Sequence, residues 1–272
     1  MRRLLLVVLV GCGSGASPAL GLDGSVTCQR WGMAANAPVG GASTGAKEAS
    51  PSVAGDHGLL AFTSKPGPVT EIYTLDHFAG STVAVHADAL DDGTDQLAPR
   101  WNAAGTRLYF SRGSKLFSAT FADGAFGTPA AEAGLASEQV VGVTLSLDET
   151  ELFYGDNADP TLSKLHYAKR TGQGAPWSPM GELAGVTGTG GGGGDSSPTL
   201  SHDQFTLYWA THRGGSAQLY QAVRQQIGAP FAMIDTFLEL PLAQGDPDLA
   251  SHDETFAYVA NDNIYLAVRT CM

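Results

Sequence analysis

Apolar and polar positions along the chain alternate in short runs, and one arrangement of these runs recurs five times. Each copy places an anchor residue nine positions before a three-residue apolar cluster: Pro51 before Leu60–Phe62, Pro99 before Leu108–Phe110, Val143 before Leu152–Tyr154, Pro198 before Leu207–Trp209 and Pro247 before Phe256–Tyr258. No long segment keeps the 3.6-residue period of an amphipathic helix. The pattern therefore predicts a mostly β structure.

A turn lies between the anchor and the cluster in every copy. The five turns are AGDHG, NAAGT, SLDET, SHDQF and SHDET, and such small, Asp and Gly residues favour chain reversal. A second apolar pair follows each cluster: Ile72–Tyr73, Leu116–Phe117, Leu165–His166, Leu219–Tyr220 and Ile264–Tyr265. A weaker third segment comes next, as in STVAV, MGELAGV and FLELPL. Each copy thus predicts a hairpin followed by an outer strand.

The spacing of the anchors predicts the architecture. Successive anchors are 48, 44, 55 and 49 residues apart, and repeats of about 40 to 50 residues with several strands each are typical of β-propeller blades. The longest interval contains the run Gly190–Gly194, which we interpret as a flexible insert. It does not predict a phosphate-binding loop, because no Lys-Ser/Thr pair and no helical pattern follow it.

Two of the units resemble a known repeat family. SPTLSHDQFTLYWATHRGGSAQLYQAVR and DPDLASHDETFAYVANDNIYLAVR are similar to the TolB-type, WD-repeat-like β-propeller repeat, with its Pro, its Ser-x-Asp turn and its Leu/Ile-Tyr pair. Arg213-Gly214-Gly215 resembles the loop after the second strand of that repeat. The resemblance runs from about Ser50 to Arg269 and is poorest in the third unit, where Val143 replaces Pro. It implies a binding or scaffolding role but names no ligand.

The last unit ends too early to form a complete blade. After Ile264–Tyr265 only seven residues remain before the end of the sequence, so the N-terminal segment CQRWGMAANAPVGGASTGAKEASPSV is expected to supply the missing outer strand and to close the ring. We therefore predict an all-β chain that forms a single β-propeller of five blades with about four strands each. A six-bladed ring would need about 45 more residues.

The net charge of −12 argues against nucleic acid as a partner, because a face that binds phosphates needs an excess of Lys and Arg. The composition, with 35 Gly and 14 Pro, agrees with short strands and many turns. No motif for a cofactor is present, and none is predicted.

The N-terminus has the features of an export signal. MRRLLLVVLVGCGSGASP combines two arginines with an apolar run, Leu4–Val10, that is far shorter than the roughly 20 residues of a membrane span. Leu9-Val10-Gly11-Cys12 resembles the lipobox of bacterial lipoproteins, which implies cleavage before Cys12 and attachment of lipid to its sulfur. An ordinary signal peptide with a nearby cysteine is the alternative.

The lipobox resemblance predicts three parts: a signal peptide at 1–11, a flexible tether at 12–27 and the propeller at 28–272. It places the protein in the bacterial cell envelope, anchored to the membrane by lipid. Gly13 follows the cysteine where an Asp commonly retains such lipoproteins in the inner membrane, so the outer membrane is expected. Cys28 and Cys271, one at each end of the folded part, are a candidate disulfide that would lock the ring; two unpaired thiols are the alternative.

Ser201-His202-Asp203 suggests a nucleophilic triad, but consecutive side chains cannot form hydrogen bonds in series. The triplet recurs at 251–253 and, with Leu for His, at 146–148. We therefore interpret it as a repeated turn and predict no catalytic residue there. His57, His202 and His252 fall at similar positions of different blades, which would hold them too far apart to share a metal ion.

Two sets of carboxylates remain as candidates. The loop DALDDGTDQ offers four residues to calcium, although not at the spacing of an EF-hand: Asp88, Asp91, Asp92 and Asp95. A glycoside hydrolase would need carboxylates that face the central channel, and Glu138, Asp246 and Asp248 lie near the start of predicted inner strands. The leading hypothesis is a non-enzymatic propeller that binds an envelope protein, peptide or glycan; the alternative is a five-bladed carbohydrate-active hydrolase.

Overall fold

The computed structural model describes residues 39–42, 46–54, 58–76, 83–156, 163–183, 185–186, 194–212, 217–237, 245–250 and 255–269. These residues form five small antiparallel sheets arranged around one axis, as predicted. Apart from a single 3-10 turn at Asp88–Leu90, they contain no helix.

Each sheet is one blade, and its strands follow the chain from the axis outward. The first blade comprises β1 (Glu48–Ala54), β2 (Leu59–Ser64), β3 (Glu71–Asp76) and β4 (Val85–His86). The second comprises β5 (Gln96–Trp101), β6 (Arg107–Arg112), β7 (Lys115–Ala122), β8 (Ala125–Phe126) and β9 (Ala130–Ala131), the last two both pairing with β7. The third comprises β10 (Val140–Leu145), β11 (Glu151–Asp156), β12 (Lys164–Lys169) and β13 (Ser178–Glu182). The fourth comprises β14 (Asp195–Leu200), β15 (Thr206–Thr211), β16 (Gln218–Val223) and β17 (Ala232–Thr236), and the fifth β18 (Gly245–Ala250), β19 (Thr255–Ala260) and β20 (Asn263–Val268).

The apolar clusters of the sequence form the second strand of every blade. These strands are buried on both faces, because each blade packs between two neighbours, and so their residues do not alternate between apolar and polar. Leu108, Phe153 and Trp209 are examples that are almost fully buried. The prediction of the third segment was wrong in the fourth unit: β17 ends at Thr236, before the apolar FLELPL run that was expected to form it.

One hydrogen bond recurs at the outer edge of all five blades and shows how the ring closes. In the first four blades the residue that follows the outer strand donates its backbone N–H to the second residue of the third strand: Ala87 to Ile72, Glu132 to Leu116, Leu183 to Leu165 and Phe237 to Leu219, at 2.7–2.9 Å. In the fifth blade Val39, from the N-terminal segment, donates the equivalent bond to Ile264 at 2.8 Å. Val39 and Ala42 are buried against Ile264 and the first blade. The predicted closure by the N-terminal segment is therefore confirmed, while the residues before Val39 lie outside the described ranges.

The inner strand of each blade bends at a β-bulge next to the anchor residue. The residue before the anchor has a positive φ of 46–64° in every blade: Ser50, Ala98, Gly142, Ser197 and Asp246. The register of the inner strand shifts at the same place. Four of these residues carry a side chain in a conformation that only glycine adopts at no cost. The bulge thus recurs in every blade, and it directs the side chain of the residue after the anchor towards the axis.

A buried polar network joins the second and third blades around Glu149. Its carboxylate accepts hydrogen bonds from Asn102 Nδ2 (2.9 Å), from Gln173 Nε2 (3.0 Å) and from the Tyr109 hydroxyl. It also pairs with Arg170 at 2.9 Å. Burial, together with this carboxylate, raises the pKa of Tyr109, so the hydroxyl stays protonated as a donor. Because Glu149 contacts residues of two blades, its loss is expected to loosen their interface.

The substitutions Glu149→Gly and Gln204→Gly are a matched test of how much the Glu149 carboxylate stabilises the fold. Glu149 and Gln204 occupy the same turn position with φ of 55° and 65°, so glycine relieves backbone strain at both. Glu149→Gly also removes the main partner of buried Arg170 and is expected to lower the free energy of unfolding by about 3 kcal/mol. Gln204→Gly is expected to change it by less than about 1 kcal/mol. Urea unfolding measures both, and equal losses would contradict the assigned role of the Glu149 carboxylate.

Candidate functional site

The five inner strands converge on the axis, and each points one polar side chain at its neighbour. The residue after each anchor is Ser52, Arg100, Thr144, Thr199 or Asp248, and all five are buried. In four blades this side chain accepts a hydrogen bond from the adjacent inner strand: Ser52 from Trp101 N (2.9 Å), Thr144 from Leu200 N (3.2 Å), Thr199 from Leu249 N (3.1 Å) and Asp248 from Val53 N (2.6 Å). A belt of hydrogen bonds therefore links the blades around the axis.

Arg100 is the exception, since a guanidinium cannot accept a hydrogen bond. It reaches across the axis instead and forms an ion pair with Asp248 of the fifth blade. It also donates to the Thr199 hydroxyl at 3.2 Å and to backbone oxygens of Val143 (2.8 Å), Pro198 (3.2 Å) and Pro247 (3.2 Å). Burial lowers the pKa of Arg100 to about 9, with the carboxylate of Asp246 opposing that shift, so the side chain stays charged at neutral pH.

Asp246 and Asp248, the two acidic candidates of the fifth inner strand, both help to hold the ring together. Asp246 accepts hydrogen bonds from Ser50 N at 3.0 Å, from the Ser50 hydroxyl at 3.2 Å and from the Ser197 hydroxyl at 2.5 Å. Asp248 is occupied by Arg100 and Val53. The space left at the axis between these strands is about 10 Å³, which admits about one water molecule. No substrate fits at this level of the ring.

Glu138, the third acidic residue considered from the sequence, lies away from the axis. Its carboxylate accepts a hydrogen bond from the Tyr154 hydroxyl at 2.9 Å and lies 3.8 Å from His166 Nδ1. The structure therefore brings together only two of the three candidate carboxylates.

The Ser-x-Asp triplets lie in turns between the first two strands of a blade. In the fourth blade the Ser201 hydroxyl donates to Asp203 Oδ1 at 2.6 Å and accepts from Thr206 N at 2.8 Å. Ser146 and Asp148 repeat the first bond at 2.7 Å in the third blade. This bond to Ser146 lowers the pKa of Asp148. His202 is exposed, and Ser201 bonds directly to Asp203. The turn interpretation therefore holds at both places; residues 251–253 lie outside the described ranges.

A groove of about 730 Å³ opens between the outer edges of the first two blades. Its apolar wall contains Val83 and Val85, which are 68% and 64% exposed, and two phenylalanines, Phe121 and Phe126. Three carboxylates and one imidazole also line it: Asp76, Asp88, Asp123 and His86. The volume is in the range of small-molecule sites, so this groove is a candidate binding site.

The four candidate calcium ligands each bind a different neighbour. Asp88 Oδ1 lies 2.5 Å from His86 Nδ1, Asp91 accepts from Gly93 N at 2.8 Å, Asp92 pairs with Arg112 at 3.0 Å, and Asp95 accepts from Thr70 N at 2.6 Å. Another group in the same region could hold a metal ion: one ligand atom each of Glu71, His86 and Asp91 lies within 4.8 Å of the other two. Calcium binding by the four aspartates stays a prediction.

Several sequence predictions fall on residues that the structure does not describe. They are the lipidation of Cys12, the disulfide between Cys28 and Cys271, the positions of His57 and His252, the loop Arg213–Gly215 and most of the Gly190–Gly194 run. Within the described ranges, no helix is long and apolar enough to cross a membrane.

Sequence reasoning missed the belt and the Arg100–Asp248 pair, although a signal was present. The residue after the anchor is polar in all five units. A second missed repeat is Arg-x-x-x-Gly-Ala-Pro-aromatic, which occurs with the same spacing in the third and fourth units. It places Arg170 over Trp177 at 4.1 Å and Arg224 over Phe231 at 4.9 Å. Both patterns become visible only when the five units are aligned on their anchors.

Solved structures of low sequence identity share this fold. TolB from Acinetobacter baumannii superposes with a TM-score of 0.52 at 11% identity over 83% of this chain and 55% of its own. An α-L-arabinofuranosidase from Podospora anserina, solved in complex with cellotriose, superposes with a TM-score of 0.59 at 12% identity, over 89% of this chain and 97% of its own. A gluconolactonase from Xanthomonas campestris superposes with a TM-score of 0.55 at 11% identity, over 96% of this chain and 99% of its own. The chain thus spans about half the length of the TolB that it matches.

These similarities show the fold alone, since propellers of one architecture carry unrelated functions. No protein-family model matches the sequence, and no curated protein matches it either.

The axial ion pair can be tested with a double-mutant cycle. Arg100→Thr and Asp248→Thr each leave a buried charge without its partner and are each expected to cost about 3–5 kcal/mol of unfolding free energy. The double variant carries two hydroxyls, like those of the other blades. Its loss of unfolding free energy is expected to be smaller than the sum of the two single losses by at least about 2 kcal/mol. Thr144→Val, which removes one belt hydrogen bond, serves as a control at about 1 kcal/mol. Additive losses in denaturant titrations would show that the pair is not coupled.

Proposed function

We infer that this chain is a non-catalytic propeller that binds a partner molecule at its periphery rather than along its axis. The observation that carries this inference is the filled axis. Arg100 and Asp248 close it, and Asp246 is held by the hydroxyls of Ser50 and Ser197. A glycosidase needs two carboxylates about 5 to 10 Å apart with room between them for the substrate, and these side chains leave no such room.

The groove between the first two blades supports binding of an extended peptide. Exposed Val83 and Val85 offer apolar contacts, and Phe126 offers an aromatic surface. Asp76 and Asp123 add negative charge along the same groove. A segment that combines Lys or Arg with Leu or Phe is complementary to this lining and to the net charge of −12. The partner is therefore a basic, partly apolar protein segment.

The N-terminal sequence supports a location of the protein in the bacterial cell envelope. Export, cleavage before Cys12 and a lipid on that cysteine would hold the propeller at a membrane of the bacterial envelope, on the outer membrane if Gly13 acts as expected. The structural similarity to TolB is in keeping with an envelope protein. Metabolic labelling with a radioactive fatty acid, compared between the natural chain and Cys12→Ala, tests the anchor.

A carbohydrate-active hydrolase is the second candidate. The α-L-arabinofuranosidase matches this chain over 97% of its own length and the gluconolactonase over 99%, so both are propellers of similar extent. Assays with an aryl α-L-arabinofuranoside and with gluconolactone address it. We expect the natural chain to turn over neither substrate faster than the Asp246→Asn variant does. Turnover by the natural chain that Asp246→Asn abolishes would favour the hydrolase.

Peptide binding at the groove can be measured directly. An array of 12-residue peptides that pair Lys or Arg with Leu or Phe is compared with an array in which the basic residues are replaced by Glu. We expect micromolar binding of the basic set alone, and at least a tenfold loss in a Val83→Ser/Val85→Ser variant, because the exposed apolar contacts are removed while the charge of the groove stays the same. Val268→Ser is the control, since Val268 is similarly exposed, at 62%, but lies on the fifth blade. If the groove variant binds the basic peptides as tightly as the natural chain does, the proposed site is wrong.

A further inference from the structure

Glu71, His86 and Asp91 come from three consecutive elements at the junction of the first two blades. Glu71 begins β3, His86 ends β4, and Asp91 directly follows the 3-10 turn that leads into the second blade. The pairing of Tyr73 with His86 brings the start of β3 beside the end of β4. One ligand atom from each of the three side chains lies within 4.8 Å of the other two.

The imidazole of His86 is oriented by one carboxylate and faces another. Its Nδ1 lies 2.5 Å from Asp88 Oδ1, and the tautomer that donates this bond from Nδ1 presents a lone pair at Nε2 for a metal ion. Nε2 is buried and has no hydrogen-bond partner, although Glu71 Oε2 lies 3.7 Å away. A cation bound between these two atoms would be held by both of them.

The two candidate carboxylates are themselves held in place by hydrogen bonds. Glu71 Oε2 accepts from the Tyr73 hydroxyl at 3.2 Å, and burial followed by the charge of Glu71 raises the pKa of Tyr73, which keeps that donor protonated. Asp91 Oδ1 accepts from Gly93 N at 2.8 Å and from Gln96 Nε2 at 3.2 Å. Such outer contacts orient metal ligands and fix which of their atoms face the ion.

We propose that Glu71, His86 and Asp91 bind a divalent transition-metal ion, with zinc as the best fit. One imidazole and two carboxylates supply three ligands, and a water molecule completes a tetrahedral site. Calcium is disfavoured because it takes six to eight oxygen ligands. Zinc holds its ligands about 2.0–2.2 Å away and so about 3.4 Å from one another. The adjustment needed is on the order of 1 Å, within reach of the exposed Asp91 side chain.

This site is separate from the filled axis and does not depend on the proposed peptide partner. An ion there ties the outer strand of the first blade to the segment that enters the second blade. It therefore stabilises the folded chain whenever zinc is present, by an amount that grows with zinc concentration.

His166 in the third blade supplies a matched control. Like His86, it has one carboxylate near each ring nitrogen: Glu138 is 3.8 Å from Nδ1 and Asp156 is 3.9 Å from Nε2. Unlike His86, it belongs to no group of three convergent ligand atoms among the described residues. A variant at His166 thus reports non-specific binding of zinc by an imidazole on an acidic surface.

Titration calorimetry of the full, untagged, metal-stripped chain with zinc chloride tests the proposal. We expect one zinc ion per chain with low-micromolar or tighter affinity, at least a tenfold weaker affinity in His86→Gln and in Glu71→Gln, and no change in His166→Gln. Thermal unfolding is expected to shift upward with zinc in the natural chain and in His166→Gln only. Glu71→Gln keeps the test decisive if His86→Gln fails to fold.

Two results would overturn the proposal. One is the absence of zinc-dependent heat and of any thermal shift, or binding that His86→Gln and Glu71→Gln leave intact. The other comes from nitrogen NMR of the histidine side chains: an imidazole of His86 that carries protons on both nitrogens and does not respond to zinc would show an imidazolium between Glu71 and Asp88 instead.

Discussion

The ion pair between Arg100 and Asp248 is the interaction on which the rest of the ring depends. Five inner strands meet at the axis, and each brings a bulge and a polar side chain to it. The hydroxyls of Ser52, Thr144 and Thr199 each accept a hydrogen bond from the adjacent inner strand. Asp248 does the same but also brings a charge into a buried place, which is costly unless that charge is paired. Arg100 neutralises it and binds backbone oxygens of the third, fourth and fifth blades. One side chain thereby links four of the five blades.

The proposed binding site lies at a junction between two blades, and the junctions of the ring differ. Charged networks hold the second and third blades together through Glu149 and Arg170, and the third and fourth through Glu151 and Arg224 at 2.9 Å. The first junction has an apolar core instead, in which Trp101 and Phe110 of the second blade pack with Ile72 and Leu90. The groove and the histidine–carboxylate cluster therefore lie at the edge of an apolar junction.

The fold could be predicted from the sequence because each blade is encoded locally. The anchor, the turn and the apolar cluster lie within a dozen residues of one another, and the same spacing repeats five times. The axis could not be predicted in the same way, because Arg100 and Asp248 are 148 positions apart, and each follows an anchor proline just as Ser52 and Thr199 do. The outer strand of the fourth blade was misplaced for a related reason: the run after Thr236 is apolar, yet Phe237 already packs against the fifth blade.

The difference between the blades explains why a groove exists at the first junction. The outer strands of the third and fourth blades have five residues each, whereas β4, β8 and β9 have only two. A short outer strand covers less of the adjoining blade, so Val85 and Phe126 stay accessible at the edge. The same shortness brings His86 directly before the turn that carries Asp88 and Asp91. The truncated outer strands thus create both the groove and the cluster of ligand atoms, while the belt at the axis keeps the five blades in place.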